Sequence, residues 1–123
     1  MEYLVQMTLA DSGRSTTPAE GLVFLEQYVL PTLELCQKLE SEHRIVAGGL
    51  VSGAVALAFI IRADTALEID DLIKNLPIWP RMVTTVTPLT SWSDRVSALR
   101  PRLERLRTGK MPAEFAQASE VGR

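Results

Sequence analysis

Cysteine and histidine each occur once in the 123 residues, as Cys36 and His43. A single cysteine excludes an internal disulfide and fits a reducing compartment. One histidine, one cysteine and scattered acids offer no metal-ligand spacing, so no metal site is expected. No apolar run approaches the roughly 18 residues that a membrane helix needs. The longest spans residues 55–61, and no basic-then-apolar leader follows Met1. The expectation is a cytoplasmic protein with no membrane segment. There is no glycine-rich phosphate loop, because Gly48-Gly49 lacks a following helix. No serine nucleophile motif and no internal repeat occur.

Hydrophobic residues make up 46% of the chain and charged residues 23%, the balance of one globular domain with one core. The net charge of −2 is unevenly placed: residues 1–92 hold 11 acids and 6 bases, whereas 93–110 hold six bases and two acids. A basic helix can bind nucleic acid. Without interleaved aromatics or a nucleic-acid motif, the preferred reading is a solvated helix that meets the acidic body or a partner subunit.

Residues 3–9 alternate, with Tyr3, Val5, Met7 and Leu9 on one face, which predicts a strand. Thr17-Pro18-Ala19-Glu20 is a helix start with a capping box and proline at the first position. Apolar residues recur at Leu22, Leu25, Val29, Leu33, Cys36 and Leu39, predicting one helix to about Glu42, kinked at Pro31. Residues 45–51 and 55–61 read as a hairpin around a tight Ser52-Gly53 turn. Gly48-Gly49 suggests a bulge or a close backbone approach. The second of these strands is apolar on both faces, which calls for burial on both sides. Two helices cover only one face of a small sheet, so a homo-oligomer, at least a dimer, is expected.

Thr65 and Glu68 cap a second helix whose buried stripe is Leu67, Leu72, Ile73 and Leu76. Leu76-Pro77-Ile78-Trp79-Pro80 then forms a rigid elbow, with the residues before each proline pushed towards extended geometry. A strand follows from Met82 to Leu89. The order βαββαβ predicts an α+β, ferredoxin-like fold: a four-stranded antiparallel sheet with both helices on one face. Residues 1–90 form that domain. Residues 91–110 add a third helix from Ser93, with a thin stripe of Val96, Leu99, Leu103 and Leu106, disturbed by Pro101. So thin a stripe needs a host surface, and the helix is expected to cross to a neighbouring subunit. Residues 111–123 read as a frayed tail.

Two blocks carry a family resemblance: Glu34-Leu35-Cys36-Gln37-Lys38-Leu39, and Leu76-Pro77-Ile78-Trp79-Pro80 with Met82. Together they resemble muconolactone delta-isomerase over roughly residues 2–90. The resemblance implies a ferredoxin-like fold that dimerises sheet to sheet. It also implies an isomerase that moves a double bond in a small unsaturated lactone during aromatic catabolism, with no metal or organic cofactor. The chain departs from the family in its small, apolar stretch 48–60 and in its basic third helix. A non-catalytic ligand-binding or assembly module and a cofactor-free oxygenase stand as alternatives on the same fold.

Such an isomerisation needs a base and a donor for the developing enolate oxygen. Glu34 is the first candidate base, since it lies in the matching block; Glu26 and Glu40 are further ones. His43 is a candidate proton shuttle. Arg44 and Arg81 suit an anion, and Trp79 a pocket mouth. For each, a surface or packing role is the plainer account. Thr84, Thr85 and Thr87 are explained by strand propensity, and Cys36 by burial as a small hydrophobe.

Overall fold

A computed structural model describes residues 1–11 and 14–109; the expected tail, 111–123, lies outside the described residues. Met1–Leu89 forms one compact unit, and a second begins at Thr90. The first contains β1 (Glu2–Leu9), α1 (Pro18–Phe24), α2 (Leu30–Ser41), β2 (Ile45–Leu50), β3 (Ala56–Arg62), α3 (Ala66–Lys74) and β4 (Met82–Leu89). All strand pairs are antiparallel and the sheet order is β2-β3-β1-β4. This is the four-stranded α+β architecture expected from the element order.

The pairing register explains the core. Tyr3, Val5 and Met7 stand opposite Ile61, Phe59 and Leu57, and all six are buried. Ile69, Ile73, Leu76 and Ile78 close the same core from α3 and the elbow. Leu67, expected in the buried stripe of α3, is instead 69% exposed, and Ile69 takes the inward position. The other face of the sheet carries Leu4, Ala58 and Ile60, half-buried, beside the exposed Gln6, Val83 and Thr85. Among the described residues of Met1–Leu89, the buried apolar helix residues all belong to the core on the first face.

Both capping boxes form. The Thr17 and Thr65 hydroxyls accept from the N–H groups of Glu20 and Glu68, each at 3.2 Å. The carboxylates return to Thr16 N–H at 2.7 Å and Asp64 N–H at 3.1 Å. Chiefly the Thr16 N–H bond lowers the Glu20 pKa. A lowered carboxyl pKa contributes helix stability above the unfolded value, lost as pH falls through the folded one.

The expected single helix differs in its middle. Between α1 and α2, Leu25–Val29 is π-helical, and Leu30 N–H bonds to Leu25 C=O, five residues back. Pro31 has no N–H to donate and its ring crowds the preceding turn; the wider π turn accommodates it, as π segments do inside α-helices. Thr32, one residue on, is completely buried. Its hydroxyl donates to Tyr28 C=O at 2.6 Å and accepts from Ile78 N–H at 3.0 Å.

The elbow is also more wound than expected. Trp79–Arg81 is a 3-10 turn, with Trp79 N–H bonded to Leu76 C=O and Arg81 N–H to Ile78 C=O. The β2–β3 loop is longer than a two-residue turn, since its closing bond is Val51 N–H to Ala56 C=O, with Gly53 at positive φ. The expected irregularity in β2 is present as a register shift between Ile45 and Ala47. Gly48 has φ +142° there, and a Cβ at this position would overlap Phe59 Cα and the Ala58 carbonyl oxygen.

Replacing Thr32 by valine keeps the shape but strands the buried Ile78 N–H. The expected cost is about 1–3 kcal/mol, read as a lower urea midpoint with an unchanged slope. An unchanged midpoint would show that the hydroxyl bridge contributes nothing net.

Candidate functional site

Glu34, His43, Arg44, Trp79 and Arg81 do not converge on one enclosed site. Glu34 is exposed on α2. His43 is exposed and occupies the left-handed region at φ 61°. Its N–H bonds to Glu40 C=O at 3.0 Å, and Arg44 N–H bonds to Leu39 C=O at 2.9 Å. That pair of bonds is a Schellman stop, with histidine where glycine is usual. The Arg44 guanidinium donates to Glu68 at 2.9 Å, tying the end of α2 to the start of α3. The Arg81 guanidinium lies 4.7 Å from the Tyr28 ring centroid and 5.5 Å from that of Phe24, a cation–π clamp on the helix. Trp79 is 37% exposed.

The better-formed concavity lies elsewhere. A groove of about 260 Å³ runs between α2 and the β2–β3 hairpin. Leu33, Leu50, Leu57 and Phe59 form apolar walls, and Gly48-Gly49 brings the β2 backbone close. The polar side chains on the groove are Gln37 and Glu40, spaced three apart on one face of α2. Cys36 completes the wall; burial pushes its thiol pKa up, so it stays protonated at neutral pH. Glu40 is one of the further candidate bases from the sequence, and Gln37 is not among the candidates. The helical phase of Leu33, Cys36, Gln37 and Glu40 was the available signal. What the sequence did not give was which flank of α2 borders the edge strand.

The arrangement can hold a small, largely apolar ring. A carboxylate and a primary amide stand at its border, the one able to accept a proton and the other to donate a hydrogen bond to an oxygen. Among the described residues, no helix is long and apolar enough to cross a membrane, and no cluster of histidine, cysteine and acids could hold a metal ion.

Together the βαββαβ sheet and the helix-flanked groove define a small α+β protein of the ferredoxin-like class. The sequence profile of the muconolactone delta-isomerase family matches residues 1–95, and the chain belongs to that family. The match stops within helix α4 (Trp92–Arg107). Among solved structures, the chain is similar to muconolactone isomerase at 24% identity and a TM-score of 0.59, covering 74% of this chain and 90% of that one. It is also similar to 5-chloro-2-hydroxyhydroquinone dehydrochlorinase from Burkholderia phenoliruptrix AC1100, solved in complex with 2,5-dihydroxybenzoquinone. That identity is 18% and the TM-score 0.53, over 76% of this chain and 98% of the other. At these identities the two structures establish the fold alone. No curated protein matches the chain significantly.

His43→Gly removes a side chain from a left-handed backbone position. It should raise stability by about 0.5–1 kcal/mol in urea unfolding. A loss of stability would show that the imidazole makes a contact that outweighs the backbone strain.

Proposed function

We propose that this chain binds a small unsaturated lactone or related carbonyl compound in the α2–β2 groove and shifts its double bond by proton transfer, without a metal or organic cofactor. The observation that carries this reading is the pairing of Glu40 with Gln37 at the border of an apolar groove, in a chain of the isomerase family. The Glu40 carboxylate takes a proton from the carbon next to the conjugated system. The electron pair delocalises onto the carbonyl oxygen, where the Gln37 amide donates a hydrogen bond. The same carboxylic acid then returns the proton at the other end of the enolate, so no oxidant or reductant enters. Glu34 and His43 are kept as alternative proton-transfer groups, on α2 and at its stop.

A second reading is a ligand-binding module of the same fold. It is favoured by the mainly apolar walls and by the exposure of Glu40 in the single chain. Ultraviolet assay with muconolactone separates the two. On the enzyme reading, Glu40→Gln lowers kcat by about a hundredfold or more, while Glu34→Gln and His43→Gln show whether either group shares the work. Alkylation of Cys36 by iodoacetamide at mildly alkaline pH, where part of the thiol ionises, provides the binding readout: ligand in the groove should slow it. Protection without turnover would leave a binder; neither turnover nor protection would remove this groove as the site.

We further propose that the protein works as a homo-oligomer joined through the open sheet face. Burying Leu4, Ala58 and Ile60 of two copies against each other would supply the cover that face lacks. Light scattering should give at least a dimer, and Ile60→Lys should shift it towards monomer. A wild-type monomer at micromolar concentration would count against this assembly.

A further inference from the structure

Most of helix α4 lies beyond the residues that the family profile matches, and the proposed chemistry gives it no part. Ser91 caps it by accepting from Asp94 N–H at 3.1 Å, and it runs to Arg107. At about 100° per residue, Trp92, Val96, Leu99, Leu103 and Leu106 fall within an arc of about 80°. Trp92 thus extends by one turn the thin apolar stripe expected from the sequence. Trp92 is 90% exposed, and Val96, Leu99 and Leu103 are 43–49% exposed, so the stripe is largely open to water. Pro101 falls on the opposite side of the helix, and its missing N–H leaves the stripe uninterrupted.

The charges are ordered around this stripe. Arg95 and Arg102 follow one border, Arg100 and Arg107 the other, each within about 40° of it. Asp94 lies on the far side. Arg107 stands 3.7 Å from Glu104, a pair exposed on both sides and of little worth. Over Trp92–Arg107 five arginines oppose two acids, whereas the whole chain is net −2. Attraction to an anionic surface is therefore a property of this helix and not of the chain as a whole.

That order selects the occupant. Two copies of α4 laid stripe to stripe would set arginine against arginine along both borders. A coiled coil with an acidic helix calls for a seam sustained over about three or four heptads, and this one runs for about two. A nucleic acid would meet hydrocarbon at the centre of the basic face, where phosphates need charge. An anionic lipid surface satisfies every part. Its acyl boundary takes the stripe, its headgroup layer suits an indole, and arginines on both borders reach outwards to phosphate while the far side stays in water.

We propose that α4 docks in the plane of an anionic membrane surface. Trp92, Val96, Leu99, Leu103 and Leu106 enter the boundary between headgroups and acyl chains. Arg95, Arg100, Arg102 and Arg107 pair with lipid phosphates. No membrane-spanning segment is required. Apolar burial and charge attraction act together, so binding depends on both lipid charge and salt.

The test is cosedimentation of the full chain with two kinds of vesicle, phosphatidylcholine alone and phosphatidylcholine mixed with phosphatidylglycerol. Circular dichroism verifies that each variant is folded. The wild type should pellet with the mixed vesicles only, and high salt should release it. Arg95→Gln with Arg100→Gln, one from each border, should lower the partition coefficient about tenfold or more. Leu99→Ser with Leu103→Ser should lower it by a similar factor. In a Trp79→Phe background Trp92 is the sole indole, and its emission should move to shorter wavelength when mixed vesicles are added. Three results overturn the proposal. One is a folded wild type that stays in solution with the mixed vesicles, which would leave the stripe to an acidic protein partner. Another is binding that survives the leucine changes, which is adsorption by charge alone. The third is binding with no shift in Trp92 emission, which places the contact elsewhere on the chain.

Discussion

One buried hydroxyl holds the helical layer to the rest of the fold. Thr32 Oγ1 gives its proton to the Tyr28 carbonyl and takes the Ile78 amide proton. The first bond lies inside the helix and the second crosses 46 residues of sequence. Ile78 belongs to the elbow that ends α3 and starts β4, so this single side chain registers α2 against the α3-to-β4 connection. Both bonded groups are backbone, and a buried backbone group without a partner is costly. The hydroxyl therefore matters less for its own net worth than for what its loss would leave unpaired. Around it, the Arg81 guanidinium over Tyr28 and Phe24 fastens the same helix to the same elbow from the solvent side.

The groove follows from how β2 is built. As an edge strand it has a hydrogen-bonded neighbour, β3, on one side only, and its register shifts between Ile45 and Ala47. Gly48 lets the strand lie against β3 where any side chain would collide with the β3 backbone. That leaves space under α2, which Leu33, Leu57 and Phe59 line with hydrocarbon. The small, apolar stretch 48–60, a departure from the family when met in the sequence, thus has a geometric reading. It forms the wall that makes the groove.

Much of the fold was legible because its signals are local. The β1 alternation, both capping boxes and the Pro77–Pro80 elbow each depend on residues within a few positions of one another, and their number and order fix the strand arrangement. The π segment was not legible, since an apolar stripe at intervals of three and four remains in phase whether or not one turn is widened. Leu67 and Ile69 exchanged roles because a nine-residue helix offers several faces, and only tertiary contact chooses one. The candidate site was least legible. Glu34 stood in the matching block and His43 was unique, but neither property reports direction. His43 occupies a backbone position that ends a helix, and Glu34 faces water in the single chain. Gln37 and Glu40 became visible as a pair only once α2 had been set beside β2.

The π-helical turn has a further meaning when it is treated as a count rather than a shape. In an α-helix each residue advances the azimuth by about 100°. Leu25–Val29 accommodates one residue more than the α-helical ladder would, and that surplus sets the angular offset between α1 and α2. Losing one residue from this turn would leave every cap, strand and core side chain in the composition. It would nonetheless rotate Gln37 and Glu40 by about 100° relative to Phe24 and the clamp that holds it. The sidedness of α2 is thus an indexing property of the chain. A length change in this turn would redirect the chemistry of the helix while its amino acids stayed the same.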